Sequence, residues 1–300
     1  MSFADLTWTS QDGLTLHARD YAAARPVAGV PVICIHGLTR NARDFEDLAP
    51  RIAALGRRVL AVDVRGRGRS ARDPQPLNYH PGTYAMDVVA LLEATGIDRA
   101  VFVGTSMGGI IAMVLASIRP EAIAGAVLND VGPQLSPVGL ARIGGYVGGG
   151  SAFRDLDEAA AYAKATNGAA FPDYTDADWT AFARRLVDET AEGALVLAYD
   201  PDVAAPFKAA APDAPPADMT PLFRALAACG PLLLVRGAIS DLIDPPIVAR
   251  MRAAAPDMAY AEVPNVGHAP MLTEPEAWDA IRAFLDHPSL GAAQARWTPV

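Results

Sequence analysis

The segment Gly104-Thr105-Ser106-Met107-Gly108-Gly109 constrains this chain more than any other. An apolar β-type run, Arg99-Ala100-Val101-Phe102-Val103, leads into it, and a helical run from Ile110 to Ala116 leaves it. A strand, a sharp turn with serine at its tip, and a helix satisfy that order. The flanking glycines let the strand and helix backbones pass close to each other. The turn lifts the Ser106 hydroxyl above the sheet edge, at a helix N-terminus whose partial positive field favours developing negative charge. Gly-x-Ser-x-Gly in this setting is a nucleophile elbow. Taken alone, the motif also suits a capping serine, so the rest of the chain decides between the two readings.

Strand-like and helical runs alternate around this turn. Phe3 to Thr9 and Leu14 to Tyr21 read as a hairpin joined at Gln11-Asp12-Gly13. Pro31 to Ile35 and Arg58 to Val64 are wholly or mainly apolar, as strands covered on both faces should be. Asn41 to Leu55 and Tyr84 to Ala94 carry helical spacing, and Ala124 to Asn129 is a further strand. The order predicts an α/β fold: a mostly parallel sheet with helices on both faces. From about Gln134 to Ala217 the alternation stops. Helices are expected over Glu158 to Thr166 and Asp176 to Glu189, and no strand. Residues 133–218 therefore read as a helical cap inserted into a core formed by 1–132 and 219–300. Gly144-Gly145 and Gly148-Gly149-Gly150 suggest a flexible way in, and Pro212, Pro215 and Pro216 a rigid way out. The core resumes with strands at Pro231 to Val235 and Met258 to Val263, and helices at Pro246 to Ala254 and Glu274 to Leu285. The tail after His287 is expected to be loose.

Three hundred residues with 51% hydrophobic content suffice for one large core with an insertion. A net charge of −9 argues against nucleic acid or an anionic membrane as partner, since both require clustered Lys and Arg. The N-terminal residues lack a basic n-region and an apolar h-region, and no apolar run reaches membrane-spanning length, so a cytoplasmic location is expected. Cys34 and Cys229 have neither disulfide-framework nor metal-ligand spacing.

A serine hydroxyl becomes a useful nucleophile only with a base beside it and an acid behind the base. Among the five histidines, His268 alone follows the serine on a loop between a C-terminal strand and helix, in Val263-Pro264-Asn265-Val266-Gly267-His268. His17 and His287 read as structural or solvated, and His80 as a loop residue near a pocket. Two carboxylates compete for the orienting role, Asp241 and Asp130, each just beyond a strand's C-terminal end. Asp241 is preferred, because its strand–loop–helix unit directly precedes that of His268. An oxyanion requires two preorganised N–H donors. Met107, directly after the serine, supplies one; Leu38, in the loop His36-Gly37-Leu38-Thr39, is the candidate for the other. His36 reads as a packing or loop-bonding residue. Asp63-Val64-Arg65-Gly66-Arg67-Gly68-Arg69-Ser70 imitates a phosphate loop but lacks the following Lys-Ser/Thr and opens no helix, so its arginines are expected to pair with carboxylates and carbonyls.

Together, His36-Gly37-Leu38, the Asp63–Ser70 loop, Gly104–Gly109, Arg236-Gly237-Ala238-Ile239-Ser240-Asp241 and Gly267-His268 make the chain resemble a lid-bearing α/β-hydrolase of the carboxylesterase-like kind. The resemblance spans nearly the whole chain in family order. It implies an eight-stranded sheet, a helical cap and a catalytic triad, and it leaves the substrate open.

Relatives of this fold that dehalogenate or open epoxides carry aspartate at the nucleophile position, where this chain has Ser106. The expected activity is therefore hydrolysis of carboxylic esters or lactones of small to medium, largely apolar substrates through an acyl-enzyme. No metal or organic cofactor is required. The alternatives are carbon–carbon bond hydrolysis of diketones, cofactor-free perhydrolysis, and a small-molecule receptor retaining a slow triad. Nine cap residues are candidates for the pocket wall: Leu140, Ile143, Tyr146, Val147, Phe153, Phe171, Trp179, Phe182 and Leu186. Most of them are expected to pack the cap onto the core instead.

Overall fold

Continuous apolar runs dictate the centre of the molecule. The computed structural model describes residues 2–24, 29–149, 152–209 and 217–291. In chain order these residues form β1 (Ala4–Thr9), β2 (Thr15–Tyr21), β3 (Val32–Ile35), α1 (Leu48–Ala54), β4 (Val59–Asp63), α2 (Pro81–Thr95), β5 (Ala100–Thr105), α3 (Met107–Ile118) and β6 (Ile123–Asn129). Then follow α4 (Pro137–Tyr146), α5 (Leu156–Asn167), α6 (Asp176–Leu186), β7 (Val187–Glu189), β8 (Leu195–Leu197), α7 (Ala205–Ala209) and α8 (Thr220–Cys229). The last elements are β9 (Leu232–Gly237), α9 (Pro245–Ala254), β10 (Ala259–Val263) and α10 (Pro275–Leu285).

Eight strands build one sheet in the order β1-β2-β4-β3-β5-β6-β9-β10. The β1–β2 and β2–β4 pairs are antiparallel, and the remaining neighbours are parallel. Every residue of β3, β4, β6 and β9 is buried, which is why those segments are apolar without alternation. The edge strands β1 and β10 are mainly exposed or half-buried. Two apolar cores flank the sheet. Residues of α2, α3, α8 and α9 fill one, and those of α1 and α10 fill the other.

Although about a hundred residues separate β6 from β9 in sequence, the two strands lie side by side, Ala126 opposite Leu232. The intervening chain leaves the sheet at Asp130 and returns through α8. Within it α5 packs on α6, and β7 and β8 form a small antiparallel hairpin.

Several expectations need correction. The helix expected over Asn41 to Leu55 is a 3-10 turn, Ala42–Phe45, followed by α1. Pro50 has no N–H to donate to the Glu46 carbonyl and is tolerated only in a helix's first turn, so α1 begins just before it. The helix expected to reach Glu189 stops at Leu186, because Val187–Glu189 pairs with Leu195–Leu197. A strand pair thus exists where none was expected. Gly144 and Gly145 lie inside α4 rather than in a hinge. The chain beyond His287 is held as far as Gly291: Leu290 is fully buried, and the Arg57 guanidinium donates to the Leu285 and Leu290 carbonyls at 2.7 and 2.9 Å. Gly150 and the prolines at 212, 215 and 216 lie outside the described residues.

Candidate active site

The elbow forms as its glycines require. Ser106 sits at φ 50°, ψ −112°, a left-handed conformation strained for a side chain with a Cβ. A Cβ on Gly104 would lie 2.4 Å from the Gly109 nitrogen, and one on Gly108 would lie 2.0 Å from the Ile35 carbonyl oxygen. Only bare backbone lets α3 cross β5 and β3 this closely. The Ser106 N–H donates to the Asn129 carbonyl at 3.0 Å, which ties the strained turn to the end of β6.

His268 reaches this serine across the sheet's carboxyl edge. Its Nε2 lies 3.0 Å from Ser106 Oγ, and its Nδ1 lies 2.7 Å from Asp130 Oδ2. With Asp130 ionised, Nδ1–H donates to the carboxylate, and the Nε2 lone pair is left facing the hydroxyl. Asp130 is fully buried and itself adopts a positive φ of 52°. Its Oδ1 accepts from the Gly237 N–H at 2.9 Å, and its Oδ2 also accepts from the Ser240 hydroxyl at 2.5 Å. Three donors thus compensate a buried carboxylate.

The carboxylate beside the imidazole is the alternative and not the preferred one. Asp241 does not bond to His268; Asp130, the alternative, does. Both loops lie near the imidazole because β6 and β9 are neighbours. The left-handed turn at Asp130 aims its carboxylate under the ring, whereas Asp241 points to the inserted segment. There it accepts from Arg142 Nε at 2.5 Å and Arg142 Nη2 at 2.8 Å, and the guanidinium holds its carboxyl below the usual range.

Leu38 lines the cavity beside Ser106, and Met107 follows Ser106 in the chain. Met107 is the first residue of α3, where a backbone N–H has no acceptor within the helix. The Gly37 carbonyl accepts from His36 Nδ1 at 2.7 Å and from the Arg40 N–H at 3.2 Å. Because a trans peptide opposes its C=O and N–H, this fixes the Leu38 N–H on the other side of the same plane. His36 Nε2 accepts from the Val64 N–H at 3.1 Å, so the ring is a neutral loop-bonding residue. Its complete burial pushes its pKa down to about 4.

The other histidines are peripheral to the chemistry. His17 is buried between Asp63 and Asp5, at 2.7 and 2.9 Å. His80 caps α2 by accepting from the Gly82 N–H, His287 caps the final 3-10 turn, and neither lines the pocket. The arginine-rich loop is structural. Arg65 donates to Asp12, Asp73 and Asp87 at 2.5–3.0 Å. Arg67 donates to the Leu38 carbonyl at 2.9 Å and to the Tyr84 hydroxyl at 2.9 Å.

A cavity opens over Ser106 and His268, roofed by the inserted segment. Of the nine candidate wall residues, Ile143, Tyr146, Phe171, Phe182 and Leu186 line it, while Leu140, Val147, Phe153 and Trp179 pack in the apolar core. The wall is more polar than the sequence implied. Thr39, Arg40, Asp44, Tyr162, Thr166, Asn167 and Tyr199 also contribute. In its charged pair Arg40 Nε and Nη2 donate to Asp44 and the guanidinium lies 4.0 Å over the Phe182 ring, while the buried Arg40 Nη1 has no partner among the described residues. Among these polar residues, Thr39 and Arg40 were within reach of the sequence, since they directly follow Leu38. Among the described residues no group of three or more His, Cys, Asp or Glu could hold a metal, and no helix is long and apolar enough to cross a membrane.

The inserted segment is tied to three loops near the cavity. Arg142 holds the Asp241 loop. The Gly267 N–H donates to the Ala170 carbonyl at 2.7 Å, and Asn265 bonds Asp173. Asn41 Nδ2 donates to the Arg185 carbonyl at 2.7 Å, and Arg43 pairs with Asp188.

Known proteins share this architecture. A curated relative from Cupriavidus necator, described as a 3-hydroxybutyrate-oligomer hydrolase, is 38% identical over 248 residues, covering 81% of this chain and 84% of its own. A solved α/β hydrolase from Novosphingobium aromaticivorans is 45% identical, covers 95% of this chain and 99% of its own, and superposes with a TM-score of 0.87. A putative hydrolase from Rickettsia typhi, 23% identical with a TM-score of 0.82 over 95% of this chain and 99% of its own, shares the fold. The alpha/beta hydrolase fold family matches residues 30–275, and the chain belongs to that family.

Proposed function

We propose that this protein is a serine hydrolase that cleaves carboxylic esters, lactones included, through an acyl-enzyme. The observation that carries the reading is the unbroken line from Ser106 Oγ to His268 Nε2 at 3.0 Å and from His268 Nδ1 to Asp130 at 2.7 Å. His268 takes the Ser106 proton as the hydroxyl attacks the ester carbonyl. The Leu38 and Met107 amides bind the resulting oxyanion. His268 then protonates the departing alcohol and afterwards activates water to release the acid. Asp130, not Asp241, holds the imidazole tautomer. Apart from the attacking water, these steps call on side chains and amides of the chain itself.

The pocket favours an uncharged substrate of small to medium size. Arg40 and Asp44 neutralise each other, and the tyrosine, threonine and asparagine lining suits an acyl chain that itself carries oxygen. The relative described as acting on 3-hydroxybutyrate oligomers, which are oligoesters, supports the same direction. The test is a panel of p-nitrophenyl esters, a lactone, a 3-hydroxybutyrate dimer and a vinylogous diketone, with fluorophosphonate labelling and peptide mapping. The expected result is ester turnover and label on Ser106, both lost in Ser106→Ala with its fold intact. Undiminished turnover in that variant rejects the mechanism. Preference for the diketone rejects the substrate class.

A further inference from the structure

Asp241 is free of the imidazole but not idle. Both its oxygens are taken by Arg142, in a two-point contact that fixes orientation as well as distance. The pair is one of three fastenings between α4 and the β9–α9 loop. A Cβ on Gly139 would lie 2.8 Å from the Asp241 carbonyl oxygen, so helix and loop backbones are in direct contact. The Ser136 N–H, at the start of α4, donates to the Leu242 carbonyl at 2.8 Å. Within α4 only Gly139 and Ile143 are fully buried, and Leu140 and Tyr146 pack half-buried against the core, so the polar fastenings act beside a modest apolar contact. Arg142 is one turn before Tyr146, and its guanidinium lies beside the Tyr146 hydroxyl. Ile143 and Tyr146 face the cavity that contains Ser106.

On the ester-hydrolase reading above, we infer that Asp241 is a positioning residue: through Arg142 it sets the height of α4 over the nucleophile, and so the acyl chain that Ile143 and Tyr146 admit. The pair does not enter the chemistry. It holds one wall of the acyl pocket against the same loop whose Ser240 hydroxyl bonds Asp130. Substrate fit and acid placement thus share a single loop.

The test compares p-nitrophenyl acetate with p-nitrophenyl hexanoate, which share a leaving group and differ in reach along the pocket. In Asp241→Asn, kcat/KM for the hexanoate should fall about tenfold, mainly through KM, with the acetate value within about twofold of wild type. Arg142→Met should reproduce that split and serves equally if Asp241→Asn folds poorly by thermal melt. The charge-reversed double variant, Arg142→Asp with Asp241→Arg, should recover part of the hexanoate KM lost in Asp241→Arg. Equal loss of kcat on both esters would mean that Asp241 acts on the triad, and an unchanged hexanoate KM would mean that α4 needs no clamp. Either overturns the inference while leaving the hydrolase reading standing. A wild-type protein that hydrolyses neither ester and takes no fluorophosphonate at Ser106 removes both.

Discussion

Replacing Asp130 by Asn separates the two carboxylates most sharply. Asp130 is fully buried and accepts three hydrogen bonds, from Gly237 N–H, Ser240 Oγ and His268 Nδ1. An asparagine of the same shape keeps an oxygen for the Gly237 amide but places an NH2 against the imidazole. Nδ1 must then accept, and the ring's proton moves to Nε2. That nitrogen can no longer take the proton of Ser106. In the comparable serine-protease exchange the wrong tautomer costs kcat about 10⁴-fold, or ~5 kcal/mol of transition-state stabilisation. The same magnitude is expected here, because the imidazole is held at 2.7 Å by Asp130 and Asp241 is occupied by Arg142. The assay is initial-rate hydrolysis of a p-nitrophenyl ester, with circular dichroism to confirm the fold. Asp241→Asn, measured alongside, should lose far less on the short ester. An Asp130→Asn enzyme within about tenfold of wild type would refute the assignment of the acid.

Three further outcomes follow from the packing and electrostatics. Arg65→Met leaves the buried Asp73 and Asp87 without their cation and should lower stability by about 3–5 kcal/mol, read as a fall in the urea midpoint; a shift under about 1 kcal/mol would show that the cluster relaxes freely. Gly108→Ala should destabilise by about 3 kcal/mol or abolish soluble expression, since its Cβ would lie 2.0 Å from the Ile35 carbonyl oxygen; a wild-type melting temperature would contradict the elbow geometry. His36, with its folded pKa pushed down to about 4 from 6.5, stays neutral while the unfolded chain binds a proton. Its contribution is complete above about pH 6.5 and is lost as pH falls toward 4, roughly 3 kcal/mol in all. His36→Asn should therefore flatten that part of the stability–pH profile, and parallel profiles for the two proteins would count against a buried neutral imidazole.

The fold was legible where apolar patterning is local and strong. β3, β5, β6 and β9 are buried on both faces and announce themselves as unbroken apolar runs. Ser106 and His268 were equally readable, because glycine-flanked turns at strand ends mark them in the sequence. The choice between Asp130 and Asp241 was not readable. Both follow strand ends in adjacent strands, and what separates them is a backbone dihedral at Asp130 and a cationic partner, Arg142, about a hundred residues away from Asp241. The β7–β8 hairpin escaped for a related reason. Three residues per strand carry no periodicity, and their pairing exists only in the folded chain. Much of the polar pocket wall, Tyr162, Thr166, Asn167 and Tyr199, comes from α5 and the chain after β8, whose roles depend on how the inserted segment seats on the core.

That seating has a consequence for how this protein can be re-engineered. Arg142, Ala170 and Arg185 each anchor to a different core loop, and Ala198 and Asp200 bond a fourth at Gly66 and Gly68, so the roof is indexed to the core at several places. A roof transplanted from a relative would arrive with its own anchors. Unless Asp241, Asn41 and the Gly267 backbone find matching partners on it, the graft would sit askew and drag the histidine loop with it. Exchange of substrate range in this scaffold is thus a matter of moving paired contacts together rather than swapping a detachable module.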